Sequence, residues 1–196
     1  MYSFYNRGST LLNFLCTVLP ALLICLALTS PILLKKSNPE VNINIENVYM
    51  KKFSSAFKPV NEKEAIMFTK YIYHYPYRNA PRGDMALMDF DLDADLTSVF
   101  NWNVKELFVY LVYEFQKPKQ EFNQVVIWDY IITDKKDAHI KGKNIESKYL
   151  VTALDNKLKG VQGNLTLYWD IIPNTGLLIQ KSKGNVVVPI TKIESY

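Results

Sequence analysis

Four aspartates at alternate positions, Asp89, Asp91, Asp93 and Asp95, form the densest set of potential ligands in the chain. Oxygen donors in such a row raise the question of calcium, but an EF-hand loop beginning at Asp89 needs glycine at its sixth position and glutamate at its twelfth. The chain has Ala94 and Phe100 there. Along a strand, alternate carboxylates stand about 7 Å apart, too far for one strand alone to close a coordination sphere. The ladder therefore reads as a solvated sheet face, opposite an apolar face of Phe90, Leu92, Ala94 and Leu96. A row of like charge on such a face also discourages edge-to-edge pairing. His74 and His139 are the only histidines, neither with a carboxylate or second histidine at ligand spacing, and both read as surface residues.

Nucleophilic chemistry fares no better. There is no G-x-S-x-G elbow, P-loop or H-E-x-x-H. Ser147-Lys148 and Ser182-Lys183 are neighbours in sequence, and adjacent side chains on a strand point to opposite faces. A hidden serine–lysine hydrolase site is the enzymatic alternative. An adaptor using the Asp ladder or a tyrosine-rich stretch to hold calcium or another protein is the binding alternative. Of the three tryptophans, Trp128 and Trp169 read as core. Trp102, set between Asn101 and Asn103, reads as partly exposed and a candidate contact with a partner.

The elements that carry these residues follow an apolar N-terminal segment. From Gly8 to Leu34 no residue is charged, and the 24 residues from Leu11 to Leu34 are mostly Leu, Ile, Val, Ala, Phe and Cys. As a helix they span roughly 36 Å, more than the ~30 Å hydrocarbon layer requires. Arg7 closes one end and Lys35-Lys36 the other. The run is too long for the apolar region of a cleavable signal peptide, and Pro20 at mid-span is tolerable with a kink. It reads as a membrane anchor. Cys16 and Cys25 both lie inside it, so the rest of the chain can form neither a disulfide nor a cysteine-based zinc site.

Beyond the anchor come short segments of strand character: Val41, Ile43 and Ile45 alternating with polar residues, then 85–96, 107–115, 123–132, 148–154, 164–172 and 185–190. Residues 107–115 are apolar on both faces and read as a central strand. Turns are expected at Lys117-Pro118, Lys141-Gly142, Lys159-Gly160, Pro173-Asn174 and Lys183-Gly184. Residues 54–84 break the pattern. A capping box at 61–64 opens a short helix to about Tyr71, followed by the Tyr71–Tyr77 cluster, which contains His74. The fold class is thus an all-β sandwich-like domain with one N-terminal transmembrane helix and a short helical insertion. Its divisions are residues 1–10, the span 11–34 and the β domain 35–196.

The formal net charge of +4 is modest and its lysines are interspersed with acids, which excludes the dense basic face of a nucleic-acid binder. With 7 glycines there is little material for phosphate-cradling loops. Orientation across the membrane stays open on these residues. The lysines after the span favour a cytosolic domain by the positive-inside rule, whereas the sequon Asn164-Leu165-Thr166 favours a lumenal one.

Several blocks in fixed order are recognisable: DFDLDADLTSVFNWNVKELFVYL (89–111), NQVVIWDYII (123–132), KGVQGNLTLYWDIIPNTG (159–176) and GNVVVPI (184–190), closing on Ile193-Glu194-Ser195-Tyr196. Together with the anchor they resemble the SPC22/23-type accessory subunit 3 family of the eukaryotic signal peptidase complex. The resemblance covers nearly the whole chain except 54–84, a stretch longer than that family leads one to expect. It implies an endoplasmic-reticulum membrane protein with a short cytosolic N-terminus, one membrane helix and a lumenal β domain. It also implies a non-catalytic partner of the catalytic subunit and other subunits of the complex, embedded in the lipid bilayer, with no cofactor, metal or catalytic residue of its own. Asn164 matches the family's glycosylated asparagine.

Overall fold

The computed structural model describes residues 4–52, 84–117, 122–152 and 157–190. One helix, α1 (Phe4–Lys35), precedes eight described strands: β1 (Glu40–Lys52), β2 (Asp84–Asp95), β3 (Val104–Gln116), β4 (Phe122–Ile132), β5 (His139–Glu146), β6 (Val151–Thr152), β7 (Gln162–Pro173) and β8 (Ile179–Pro189). A 3₁₀ turn, Lys135–Asp137, joins β4 to β5.

The strands form two antiparallel sheets. In the first, β2 is central, paired with β1 on one side and with β5 and β6 on the other. In the second the order is β4-β3-β7-β8. The central place of β3 matches its sequence, since Leu107, Val109, Leu111, Tyr113 and Phe115 are buried while Phe108 and Tyr110 are only half-covered on the outer face. Between the sheets, Phe90, Leu92 and Ala94 of β2 join those β3 residues and Leu165, Leu167, Trp169 and Ile171 of β7 in one buried cluster. Phe90 meets Trp128 of β4 edge-to-face, ring centroids 6.1 Å apart. Burying such side chains contributes about 1.5–3 kcal/mol each, which is what holds the two layers together.

Two close approaches fix details of the packing. A Cβ at Gly163 would lie 2.5 Å from the Glu114 carbonyl oxygen and 2.6 Å from the Tyr113 ring, so the ring lies across a position only glycine can occupy. There the Tyr113 hydroxyl donates to the Val188 carbonyl at 3.0 Å, and burial pushes its pKa up. Gly184, at φ +85°, lies against Ile43 and Val41, where β8 passes β1.

Several expectations need correction. Lys183-Gly184 is no turn: the register slips between Leu165 and Leu167, and Gly184 supplies the positive φ of a bulge inside a continuous β8. Lys141-Gly142 likewise lies within β5, where the register with β2 shifts and Asn144 takes φ 51°. Of the strand expected at 148–154, the first three residues are not strand, because Lys148 and Tyr149 turn their N–H groups to the Ile127 carbonyl at 2.7 and 3.1 Å; Val151–Thr152 form β6, and 153–154 lie outside the described residues. Asp84, placed in the excursion, is the first residue of β2, its carboxylate accepting the Leu158 N–H at 2.9 Å. The rest of the excursion, with its capping box, Tyr71–Tyr77 and His74, lies outside the described residues, as does the closing Ile193–Tyr196.

Candidate functional site

The helix is apolar nearly all round, and this decides its role. Leu11, Phe14, Leu19, Leu22, Ile24 and Leu28 are all exposed, as are Cys16 and Cys25. The span from Asn6 to Lys35 is long and apolar enough to cross a bilayer, and its most apolar window buries nothing against the protein. Among the described residues, only its last two turns touch the β domain. Ala27, Ser30 and Leu34, at spacings of three and four, share one face: Ser30 is 5% exposed and Leu34 belongs to the domain core.

A polar clamp holds this face. Asn103, 1% exposed in the turn before β3, donates through Nδ2 to Ser30 Oγ at 2.5 Å and to the Thr175 carbonyl at 2.8 Å. Its Oδ1 accepts the Thr175 N–H at 3.2 Å and its backbone carbonyl the Asn174 N–H at 2.7 Å. Asn103 thus ties α1, the β2–β3 turn and the β7–β8 hairpin at one point. In the sequence Asn103 shows only as a neighbour of Trp102, and the one signal of the clamp is a lone serine near the end of an apolar helix. One turn further on, the Leu34 carbonyl, orphaned at the helix end, accepts from Ser37 Oγ at 2.8 Å and Lys181 Nζ at 3.4 Å. Lys183 Nζ donates to the Pro39 carbonyl at 2.6 Å. The anchor is therefore bonded to the base of the domain.

The Asp ladder divides. Asp91 accepts the Asn144 N–H at 2.7 Å; Asp93 meets His139 Nε2 at 2.7 Å and Lys141 Nζ at 3.1 Å; Asp95 accepts the Thr97 N–H and hydroxyl at 2.9 and 2.6 Å. The bonds from His139 and Lys141 hold the Asp93 carboxyl below the usual range, and those from Thr97 do the same for Asp95. Asp89 departs from the expectation of a solvated face, being fully buried, because β2 from Met85 to Phe90 is covered on both sides. His139 is exposed as read, yet folding brings it a carboxylate that its sequence neighbours did not offer. Among the described residues no cluster of three or more His, Cys, Asp or Glu has metal-binding geometry.

Neither serine–lysine pair makes a dyad. Ser147 is buried, its Oγ accepting the Met88 N–H at 3.0 Å, while Lys148 Nζ reaches away to the Asp129 carbonyl at 2.5 Å. Lys183 is committed to Pro39, as above. Trp102 is 57% exposed, whereas Trp128 and Trp169 are buried, in keeping with the sequence reading.

Asn164 lies on β7 opposite Glu114 and Val187, alternating with buried Gly163 and Leu165, and so faces outward from the second sheet. On the same face Glu114 accepts from Tyr168 at 2.7 Å and Gln124 at 2.8 Å, and that carboxylate holds the Tyr168 hydroxyl pKa up to about 12. Phe108, Tyr110 and Tyr168 stack in sequence at 5.2 and 5.6 Å. Aromatic rings beside a bonded polar cluster suit a protein contact better than a catalytic step.

An apolar helix bonded to the base of a two-sheet antiparallel domain defines a membrane-anchored β-domain protein. A family model described as "Signal peptidase subunit" matches residues 1–192, and the chain belongs to that family. It is 43% identical over 110 residues to signal peptidase complex subunit 3 of Gallus gallus, covering 55% of this chain and 61% of that protein. To subunit 3 of Drosophila melanogaster it is 47% identical over 97 residues, covering 48% and 54%. The chain thus spans little more than half the length of these two relatives. Against adipocyte-related X-chromosome expressed sequence 1 of Mus musculus the identity is 29% over 191 residues, covering 96% and 94%.

Proposed function

We propose that the chain is a non-catalytic accessory subunit of an endoplasmic-reticulum signal peptidase complex. In this reading it is a single-pass type II protein whose β domain sits in the lumen and braces the catalytic subunit where signal peptides are cut. Family membership supports the complex, and the feature of this chain that carries the role is the bonded junction at Ser30, Asn103 and Thr175. A domain tethered by a loose linker samples many heights above the membrane. One whose core includes the last turn of its anchor is held at a fixed height. That suits a subunit that positions another protein against the bilayer.

The outer face of the second sheet carries Asn164 as the glycosylation site, and Trp102 is a contact residue at the membrane-proximal end. Glycosidase treatment of the protein expressed in its host tests topology. A mobility shift that disappears in Asn164→Gln is the expected result, and a wild-type protein with no shift contradicts lumenal placement with modification at Asn164. Depleting the chain should lower preprotein cleavage in microsomes, while the purified chain alone should cleave no signal-peptide substrate. Cleavage by the isolated chain would overturn the non-catalytic role.

A further inference from the structure

The β7–β8 hairpin ends in Asn174-Thr175-Gly176-Leu177-Leu178, and its last two residues are the feature that the fold leaves unexplained. Leu177 is 84% and Leu178 69% exposed. Their position along the anchor determines what they meet. A Cβ at Gly176 would come within 3.3 Å of the Ala27 Cβ, and Thr175 is bonded through Asn103 to Ser30. The hairpin tip therefore lies level with Ala27 and Ser30, not with the end of the helix at Lys35.

Counting along the helix places this level relative to the bilayer. A hydrocarbon layer of ~30 Å takes about 20 helical residues at ~1.5 Å each. With Arg7 kept outside it, the layer begins at Gly8 and its far boundary falls at about Ala27. Tilting the helix moves that boundary toward Leu34 and sets the tip deeper. Letting the Arg7 stem reach outward by one turn moves it back to about Leu23, which leaves Gly176 ~5 Å above, still inside the headgroup layer. Every placement puts two exposed leucines at the membrane–water boundary or on its hydrocarbon side. Trp102, 57% exposed and covalently next to Asn103 of the clamp, stands near the same level, where tryptophan is favoured.

We propose that Leu177, Leu178 and Trp102 form a second membrane contact, a foot that enters the phospholipid interface beside the anchor. The occupant is the leaflet from which the domain emerges, and no headgroup is singled out. Tilting of the helix carries the bonded domain with it; a foot to one side of the helix limits that tilt as well as setting the height. This inference depends only on α1 spanning the bilayer, so it stands or falls separately from the identity of any protein partner.

The test uses the full chain in phosphatidylcholine nanodiscs. With Cys16→Ser and Cys25→Ser to clear the native thiols, an environment-sensitive fluorophore is attached at Leu178→Cys or, as control, at Val187→Cys. Val187 is also exposed, at 65%, but lies at the other end of β8. The label at position 178 should emit further to the blue and lose most of its intensity when the lipid carries brominated acyl chains, while the label at 187 should be indifferent. Equal responses at the two positions overturn the proposal. A second measurement needs no cysteine change. Tryptophan emission of the native chain should be quenched by the same lipid, and the quenching should vanish in Trp102→Phe, since Trp128 and Trp169 are buried in the domain. Quenching that survives Trp102→Phe removes Trp102 from the contact.

Discussion

Asn103→Ala strikes the point where the anchor, the β2–β3 turn and the β7–β8 hairpin meet. The substitution deletes three side-chain hydrogen bonds, to Ser30 Oγ, to the Thr175 carbonyl and from the Thr175 N–H. At a net ~1 kcal/mol each the loss is about 3 kcal/mol, and buried groups left unpaired push it toward the upper side. For a chain of this size ~1 kcal/mol moves the melting point by about 2–4 °C, so a fall of roughly 6–12 °C is expected. Thermal unfolding of the full chain in mild detergent, followed by emission of the core tryptophans, reads this directly. Ser30→Ala removes one of the three bonds and should cost only about 1 kcal/mol. Because both changes delete the same Ser30–Asn103 bond, the double variant should be less unstable than the sum by ~0.5 kcal/mol or more. An Asn103→Ala melting point within ~2 °C of wild type, or strict additivity with Ser30→Ala, would refute the claim that the anchor is bonded to the domain.

The other predictions concern the sheets. Gly163→Ala forces a methyl into the Glu114 carbonyl and Tyr113 ring and should destabilise by about 1–3 kcal/mol in denaturant unfolding. Tyr113→Phe, which loses only the bond to Val188, should cost ~1 kcal/mol in the same assay. Asp93 has a folded pKa below its ordinary 3.8, owing to the bonds from His139 and Lys141, so it contributes stability that is present above that value and lost as pH falls through the lower folded value. Stability measured from pH 6 downward should consequently fall less steeply in the acid range for Asp93→Asn than for wild type. Gly176→Val, at φ +121° against Ala27, should loosen the hairpin from the helix and speed amide exchange at Asn174 and Thr175.

The elements legible in the sequence are those in which burial pattern and period coincide. The anchor, β2, β3, β4 and β7 each carry a long apolar run or clean alternation, and Trp102 stood out because asparagines flank it. The sequence pattern is silent where backbone geometry, not side-chain alternation, decides. Gly184 and Gly142 look like turn residues, and both mark bulges that keep a strand going. Among the described residues β5 is an edge strand, with Ile140 and Ile145 packed against the core among lysines that suit an exposed edge. Asp89 shows the limit of alternation, since a strand covered on both faces buries its polar positions too. The Asn103 clamp was invisible because its partners lie more than seventy residues away in either direction.

In the proposed role this domain is held at a fixed height to brace the catalytic subunit of a signal peptidase. The most direct test is affinity purification of the tagged full chain from host membranes in mild detergent, with quantification of co-purified proteins. Near-stoichiometric recovery of a signal peptidase catalytic subunit, reduced when Asn103→Ala loosens the junction, is the predicted result. Recovery of the intact, folded chain without any catalytic subunit would contradict that role.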